Sequence, residues 1–344
     1  MTINFNHILQ SVSIRVTRME NKNVAYIVSD PISNKKLRLT KGAFQKFVTA
    51  IKKGCENLDP VEDEICKILY DEIFRNRNIS SEQSEKYRQW SSRGWGRSLE
   101  FFLNSRKFSF SDSFVDYKQA QSEAVLEYSD KTKLPTPKLV GELVSSDSNF
   151  ISPTVEYFGD VLLKRKCSER PRAGKCDKKT LSSILFYSTL RFRDTWNPSK
   201  DDANSIYSSL GSCFDFYIAN YSCDGLLKKV YIYHPDINRL EETGLLVSRN
   251  DAYDLLIGHD APLSASFTIF MVANYDRAMW RYRHDRALRN LYVEAGRICQ
   301  YFLLVLTSYK MLTHITPAAV DDLATNLLSL DVKKQQLIYS ISAS

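Results

Sequence analysis

Long apolar runs, paired cysteines and metal-binding histidine motifs are all missing from this sequence of 344 residues. The best membrane-helix candidate, Ile298 to Leu306, is about half of the roughly 18 residues that a membrane span needs, and Gln300 interrupts it. The N-terminus lacks the basic region and apolar core of a secretory signal. We therefore predict a cytoplasmic protein that does not enter a membrane.

The cysteines and histidines argue against a metal centre or a disulfide framework. The odd set of seven cysteines contains no C-x-x-C pair, and none of the five histidines stands in H-E-x-x-H or H-x-H spacing. We expect buried or idle thiols in a reducing compartment, and no metal site. The cysteines are Cys55, Cys66, Cys167, Cys176, Cys213, Cys223 and Cys299.

Composition and charge indicate a soluble globular chain. Apolar residues make up 43% and charged residues 25%, which excludes collagen-like, coiled-coil and disordered classes. The net charge of +7 is mild and scattered, whereas nucleic-acid binding needs a concentrated basic face. An anionic cofactor or an acidic peptide would explain the same excess, and so would no ligand at all.

The first segment has a winged-helix pattern of about 75 residues. Strands are predicted at 12–18 and 24–28, around a polar turn, with a third at 36–39. Thr40 is a plausible N-cap for a helix that Gly54 closes, and a second helix follows Pro60. We assign residues 1–78 to a winged-helix-like domain.

A helical linker region is predicted for residues 79–150. A helix spans 90–110, and the polar stretch 130–149, with its two prolines, is expected to be an extended loop.

Residues 151–344 alternate between helices and strands, which predicts an α+β domain with a mostly antiparallel central sheet. A helix over 288–312, apolar nearly all round, is expected to be buried at its centre. Other helices are predicted at 155–166 and 179–192, and strands at 214–221, 230–233, 267–272 and 337–341.

Four stretches in this half carry a family likeness. Leu163-Lys-Arg-Lys-Cys-Ser-Glu-Arg170 is similar to R-R-S-x-R, and Tyr207-Ser-Ser-Leu-Gly211 to Y-P-S-G-G. Arg286 to Gln300 is similar to R-A-Y-R-x-x-x-x-E-A-G-H-x-x-Q, and Leu327-Leu-Ser-Leu-Asp331 to L-L-G-L-D. In this order they resemble the SagB-like azoline dehydrogenases, a branch of the FMN-dependent nitroreductase-like fold.

The resemblance implies an oxidoreductase of ribosomally made peptides. Such an enzyme uses FMN to oxidise a thiazoline or oxazoline ring to the azole. The family likeness also implies a homodimer, a possible complex with a cyclodehydratase or another modifying enzyme, and an N-terminal domain that binds the precursor's leader peptide by strand addition. A capping domain without a ligand is the alternative for that segment.

Basic residues after the 155–166 helix are the candidates for the flavin phosphate. Arg165, Lys166 and Arg170 supply positive charge and fixed donors, and Arg193 is a second-choice contact. A solvated basic cluster would have the same composition.

A loop and one glutamine complete the expected flavin site. Ser208, Ser209 and Gly211 lie where the family brings backbone and hydroxyl groups to the cofactor, although an ordinary turn needs no ligand. Gln300 is expected to be buried among apolar residues, so its amide needs either the flavin edge or a core hydrogen bond.

The family's catalytic Lys-Tyr pair is not intact. Counting back from Glu294 without gaps places it on Tyr282-Arg283, and a shift by one residue gives Arg281-Tyr282. Tyr282 is the best candidate base, because flanking arginines at 281 and 283 would lower the pKa of its phenol from about 10. A structural tyrosine beside surface arginines is the alternative.

Further departures leave a second function open. Ser205 and Ser208 replace an arginine and a proline of the loop, and Arg297 replaces the histidine of E-A-G-H. A flavin-free, degenerate member serving as a scaffold subunit of a peptide-modifying complex would tolerate these changes. The basic cluster and Gln300 favour the enzyme.

Overall fold

In the computed structural model, the backbone contacts of the chain fall into two units, Met1–Ser111 and Asp112–Ser344. The domain boundaries expected at residues 78 and 150 stay predictions. The structure describes residues 13–18, 24–30, 35–53, 85, 89–90, 92–106, 123, 126–128, 131, 135, 139, 141–144, 150–153, 158–168, 176–190, 213–282, 284 and 286–344.

The described part of the first unit contains a three-stranded antiparallel sheet and two helices. The sheet has the order β1-β2-β3, in which Val16 of the first strand pairs with Tyr26 and Tyr26 pairs with Leu39 of the third. The elements are β1 (Ser13–Arg18), β2 (Val24–Asp30), β3 (Lys35–Leu39), α1 (Lys41–Lys53) and α2 (Gly96–Arg106).

The hairpin, the third strand and the capped helix predicted here are confirmed. Thr40 Oγ1 accepts the amide of Ala43 at 3.3 Å, and Phe44 of α1 stacks on Tyr26 with ring centroids 4.1 Å apart. The helix expected after Pro60 lies outside the described residues, so the winged-helix assignment stays a prediction.

The second unit is built on a seven-stranded antiparallel sheet in the order β4-β7-β6-β5-β8-β10-β9. Its strands are β4 (Glu142–Leu143), β5 (Phe214–Asn220), β6 (Val230–His234), β7 (Arg239–Glu242), β8 (Phe267–Asn274), β9 (Thr313–Thr316) and β10 (Gln335–Ala343). Its described helices are α3 (Phe158–Lys164), α4 (Lys178–Thr189), α5 (Arg249–Leu255), α6 (Ala261–Ser264), α7 (Tyr275–Arg281), α8 (Ala287–Ser308) and α9 (Asp321–Leu328).

Helices cover both faces of this sheet, which explains why its central strands are apolar throughout rather than alternating. On one face Phe216 packs with Leu185 of α4 and with Phe302 of α8. On the other face Phe270 packs with buried residues of α5 and α9. The predicted α+β class with a mostly antiparallel sheet is confirmed.

The long helix α8 corrects one expectation. It is shorter than the predicted 288–312 and is not apolar all round, because residues at helical spacing form a single buried face. Val293 is 74% exposed, and Gly296, Arg297 and Gln300 share its exposed side.

A buried hydrogen-bonded His–Glu pair secures the β4 edge of the sheet. His234 Nε2 lies 2.6 Å from Glu241 Oε2, and the other carboxylate oxygen of Glu241 accepts the amide of Gly141. Gly141 approaches the backbone so closely that an added Cβ would lie 1.8 Å from the carbonyl oxygen of Glu242.

Within the described residues, no helix has the length and apolarity to cross a bilayer.

Candidate functional site

Tyr282 is the first residue after the short helix α7, which follows the central strand β8 directly. The side chain of Asn274, the last residue of β8, caps this helix by accepting the amide of Arg277 at 3.3 Å. Tyr282 takes an extended backbone, and its amide donates to the carbonyl of Ala278 at 2.9 Å. The candidate base therefore follows a central strand in which every residue before Asn274 is buried.

The side chain of Tyr282 is half-buried between two groups. The guanidinium carbon of Arg281 lies 5.4 Å from the centre of its ring, a cation–π distance. The ring of His284 meets it edge to face with centroids 6.1 Å apart. The guanidinium of Arg281 thus lies at cation–π distance from the ring of Tyr282, whereas Arg283 lies outside the described residues.

Arg277 and Arg281 stand one turn apart on α7, and both are buried, at 3% and 7% exposure. Arg277 Nη2 forms an ion pair with Asp215 of β5, and Asp215 also accepts Gln335 Nε2 at 3.3 Å. The position of Arg277 and Arg281 on one face of a helix was not predicted from the sequence. Their spacing of four residues, in Tyr275-Asp-Arg-Ala-Met-Trp-Arg281, would have indicated it if a helix had been predicted there.

Two other tyrosines near α7 are held in the neutral form more strongly than a free phenol. Burial, with a contribution from the charge of Asp215, raises the pKa of Tyr217 to about 12. Burial also raises the pKa of Tyr275, whose hydroxyl donates to Gln336. Tyr282 therefore remains the candidate at this end of the sheet.

Residues 165–170 follow α3 in the sequence and form the predicted phosphate segment, named for its predicted contacts with the flavin phosphate. The amide of Arg165 continues the helix by donating to Val161 at 3.0 Å, and its side chain is half-buried, while Lys166 is exposed. The next residues run beside β9, where Ser168 donates its amide to Thr313 at 2.8 Å. Cations after a helix C-terminus also complement the helix dipole, which is a purely structural reason for them.

Cys167 in this segment contacts a histidine that the sequence did not connect with it. Its Sγ accepts the amide of Ile315 at 3.3 Å and lies 3.9 Å from His314 Nδ1. The ring of His259 lies 5.1 Å from that of His314. Among the described residues no set of three or more His, Cys, Asp or Glu could hold a metal ion.

The phosphate segment and Tyr282 belong to opposite ends of β8. Thr313, which bridges to Cys167, pairs with Ala343, and Ala343 pairs with Phe267 at the start of β8. The helix leading to Tyr282 begins after the other end, about 25 Å away along eight residues. The described residues do not bring the two predicted parts of the site together.

Five of the remaining predicted flavin contacts lie outside the described residues: Arg170, Arg193, Ser208, Ser209 and Gly211. The expectation that Gln300 is buried is wrong, because it lies on the exposed side of α8. Its amide therefore needs no buried partner, and its contact with a flavin stays a prediction.

Comparison with known proteins gives one curated relative. No protein-family model matches the chain. It is 24% identical over 264 residues to the trifolitoxin operon protein TfxC of Rhizobium leguminosarum bv. trifolii, which covers 73% of this chain and 72% of that protein.

Solved structures show the fold. A candidate nitroreductase from Anabaena variabilis matches 72% of this chain with a TM-score of 0.51 and 18% identity. The match covers 47% of that protein, so the chain spans about half of its length. A chain of the E. coli microcin synthetase McbBCD complex, solved with truncated pro-MccB17 bound, matches 78% of this chain and 97% of its own at 14% identity, but its TM-score of 0.41 is too low to support a conclusion. The fold is nitroreductase-like.

Proposed function

We propose that the protein is an FMN-dependent dehydrogenase that oxidises thiazoline or oxazoline rings to azoles in a ribosomally made peptide. The family motifs, the nitroreductase-like fold and the relationship to a trifolitoxin operon protein support this assignment. The observation that carries it is the Arg281–Tyr282 pair, a half-buried phenol beside a buried guanidinium at the end of α7.

The phosphate segment fits an anionic cofactor by its charge. Arg165 and Lys166 provide two cations, while the amide of Ser168 is already committed to Thr313. The side chains would therefore hold the FMN phosphate, with the predicted Arg170, Arg193, Ser208, Ser209 and Gly211 as further contacts. When bound, FMN supplies a hydride acceptor.

Tyr282 would supply the proton acceptor. Because the phosphate segment and Tyr282 lie at opposite ends of β8 within one copy, one copy of the proposed homodimer would hold the FMN phosphate and the other would supply Tyr282. Converting an azoline to an azole removes one hydride and one proton from the ring, and Tyr282 Oη takes the proton. Arg281, whose guanidinium carbon lies 5.4 Å from the ring centre, would position the phenol for this step.

A homodimer fits the uncovered apolar side chains of two helices. Leu163 of α3 is 86% exposed and Phe158 is also exposed, and α3 packs against α8, where Val293 is exposed too. Exposed apolar groups on adjoining helices are typical of an interface. We therefore propose that a second copy covers this surface.

The first unit would bind the leader of the precursor peptide. Among the described residues β1 and β3 each pair with β2 alone, so both outer edges can accept another strand. Ile14 and Val16 are exposed on β1 and would offer apolar contacts to such a strand. A partner such as a cyclodehydratase would supply the azoline-containing peptide.

The test is to purify the full chain with FMN, record its visible spectrum and incubate it with an azoline-containing peptide. We expect a yellow protein that removes two hydrogens from each ring, measured by mass spectrometry. Replacing Ile14 and Val16 by Lys should weaken peptide binding and leave the spectrum unchanged, whereas Lys46→Ala on α1 should alter neither.

A scaffold subunit without flavin is the second candidate, and one contact favours it. Arg297, at the position of the family's histidine, is engaged in an ion pair with Glu294 on the helix surface. A folded but colourless protein without saturable flavin fluorescence quenching would select this alternative.

A further inference from the structure

The guanidinium of Arg281 is buried with part of its hydrogen-bonding capacity unused. Its Nε and Nη2 are both inaccessible to solvent, and among the described residues neither has a hydrogen-bond partner. These two nitrogens form one edge of the guanidinium, the fork that binds two oxygens of a carboxylate or phosphate in parallel. The contact with Tyr282 involves the ring and leaves this edge open.

Arg277 provides an internal reference, since it lies on the same helix with similar burial. It has an ion-pair partner in Asp215, although its Nε and Nη1 also lack a hydrogen-bond partner among the described residues. The neighbouring Asp276 faces Lys334 at 3.9 Å. The described part of α7 and β5 therefore contains two buried guanidinium groups but only one largely buried carboxylate, which is paired with Arg277. Burying a cation without a counter-ion destabilises a protein strongly, so the second group calls for another anion.

We infer that Arg281 is an oxyanion-binding residue whose Nε–Nη2 edge takes a carboxylate or a phosphate group. The chemistry requires two oxygens of one group, which a halide does not offer. The inference goes beyond the flavin chemistry and does not depend on it, because it concerns the charge balance of the folded chain itself.

Thermal unfolding of the full chain and its variants in chloride gives the first test. Arg281→Met should raise the unfolding midpoint by about 2–4 °C, because it removes an uncompensated buried charge. Arg277→Met, the matched control, should lower the midpoint, because it leaves Asp215 without its partner. A lowered midpoint in Arg281→Met would overturn the proposal.

Adding oxyanions at constant ionic strength gives the second test. Acetate or inorganic phosphate should raise the midpoint of the wild-type protein and leave Arg281→Met unchanged. Stabilisation by acetate alone would assign a carboxylate, and stabilisation by phosphate alone a phosphate group. An equal response in both proteins would contradict the proposal.

Two further measurements distinguish a bound oxyanion from an ion pair within the chain. Asp285→Asn removes the acidic side chain nearest to Arg281 in the following sequence: if oxyanions stabilise the protein only after this change, Arg281 is paired within the chain and the inference is wrong. The Nε–H resonance of Arg281 should shift on oxyanion addition in wild-type protein, which reports binding even if Arg281→Met fails to fold. No shift at saturating acetate and phosphate would overturn it.

Discussion

Two buried polar clusters in the second unit differ in how completely their groups are hydrogen-bonded or ion-paired. At the β4 edge, Glu241 accepts from both His234 and the amide of Gly141. At the end of β8, Arg277 has Asp215, but the Nε–Nη2 edge of Arg281 has no partner among the described residues. The first cluster holds the edge strand β4 in place, whereas the second has hydrogen-bond donors left for a ligand.

The difference in pairing distinguishes a structural cluster from a candidate functional one without reference to any sequence motif. A fully paired buried cluster has a structural reason for each of its members. An incomplete one costs folding free energy, and proteins tolerate such costs where a site needs them. The Arg281–Tyr282 region is therefore the place in the described chain where we expect chemistry.

Breaking the complete cluster should have the largest effect on stability. Glu241 is 0% exposed, so Glu241→Leu leaves His234 Nε2 and the amide of Gly141 buried without their acceptor. At about 1–3 kcal/mol for each unsatisfied group, the loss should be about 2–6 kcal/mol of unfolding free energy. Denaturant unfolding measures this loss. Glu242→Leu, which removes a half-exposed partner of Lys229, should cost less than about 1 kcal/mol. Equal losses would show that the buried cluster has no special role.

Displacing the β4 segment should have a smaller effect. Gly141→Ala places a Cβ against the carbonyl of Glu242, so the segment must shift at a cost of about 1–3 kcal/mol. Hydrogen exchange of the Val144 amide, which donates to Leu240, should accelerate. The control Gly296→Ala has open space around it within α8 and should stabilise by about 0.5–1 kcal/mol. Unchanged exchange in Gly141→Ala would contradict this account of the edge.

Removing the charge of Asp177, which caps α4, should have the smallest effect on stability. Asp177 caps α4 by accepting the amide of Thr180 at 2.7 Å, which lowers the pKa of this carboxyl. Its ionised form therefore adds stability above its unfolded pKa, and this contribution disappears as pH falls through the lower folded value. Asp177→Asn keeps a capping side chain, so we expect a loss of a few tenths of a kcal/mol at pH 7 that vanishes in acid. A difference that persists in acid would refute this origin.

The sequence predicted those elements whose apolar runs are long. Strands β5, β8 and β10 were expected from such runs and are observed with small shifts at their ends. Strands β7 and β9 were missed, because four residues such as Arg-Leu-Glu-Glu carry no strand pattern. Their pairing comes from the neighbouring strands, which a local pattern does not contain.

The candidate site was predicted in part for a related reason. Tyr282 and Arg281 were identified from the family motif, and their contact is observed. The helix before them was not predicted, since its buried face consists of two arginines and one alanine rather than large apolar residues. Gln300 was misplaced because the apolar residues around it suggested burial on every side of α8, whereas the helix buries only one face.

Anaerobic reduction of bound FMN by an azoline peptide in a single turnover tests the central claim most directly. We predict that Tyr282→Phe slows this reduction by about 10² to 10⁴, as expected for the loss of a general base, while flavin and peptide affinity stay unchanged. Reduction at the wild-type rate in Tyr282→Phe would contradict the account and remove this residue from the chemistry.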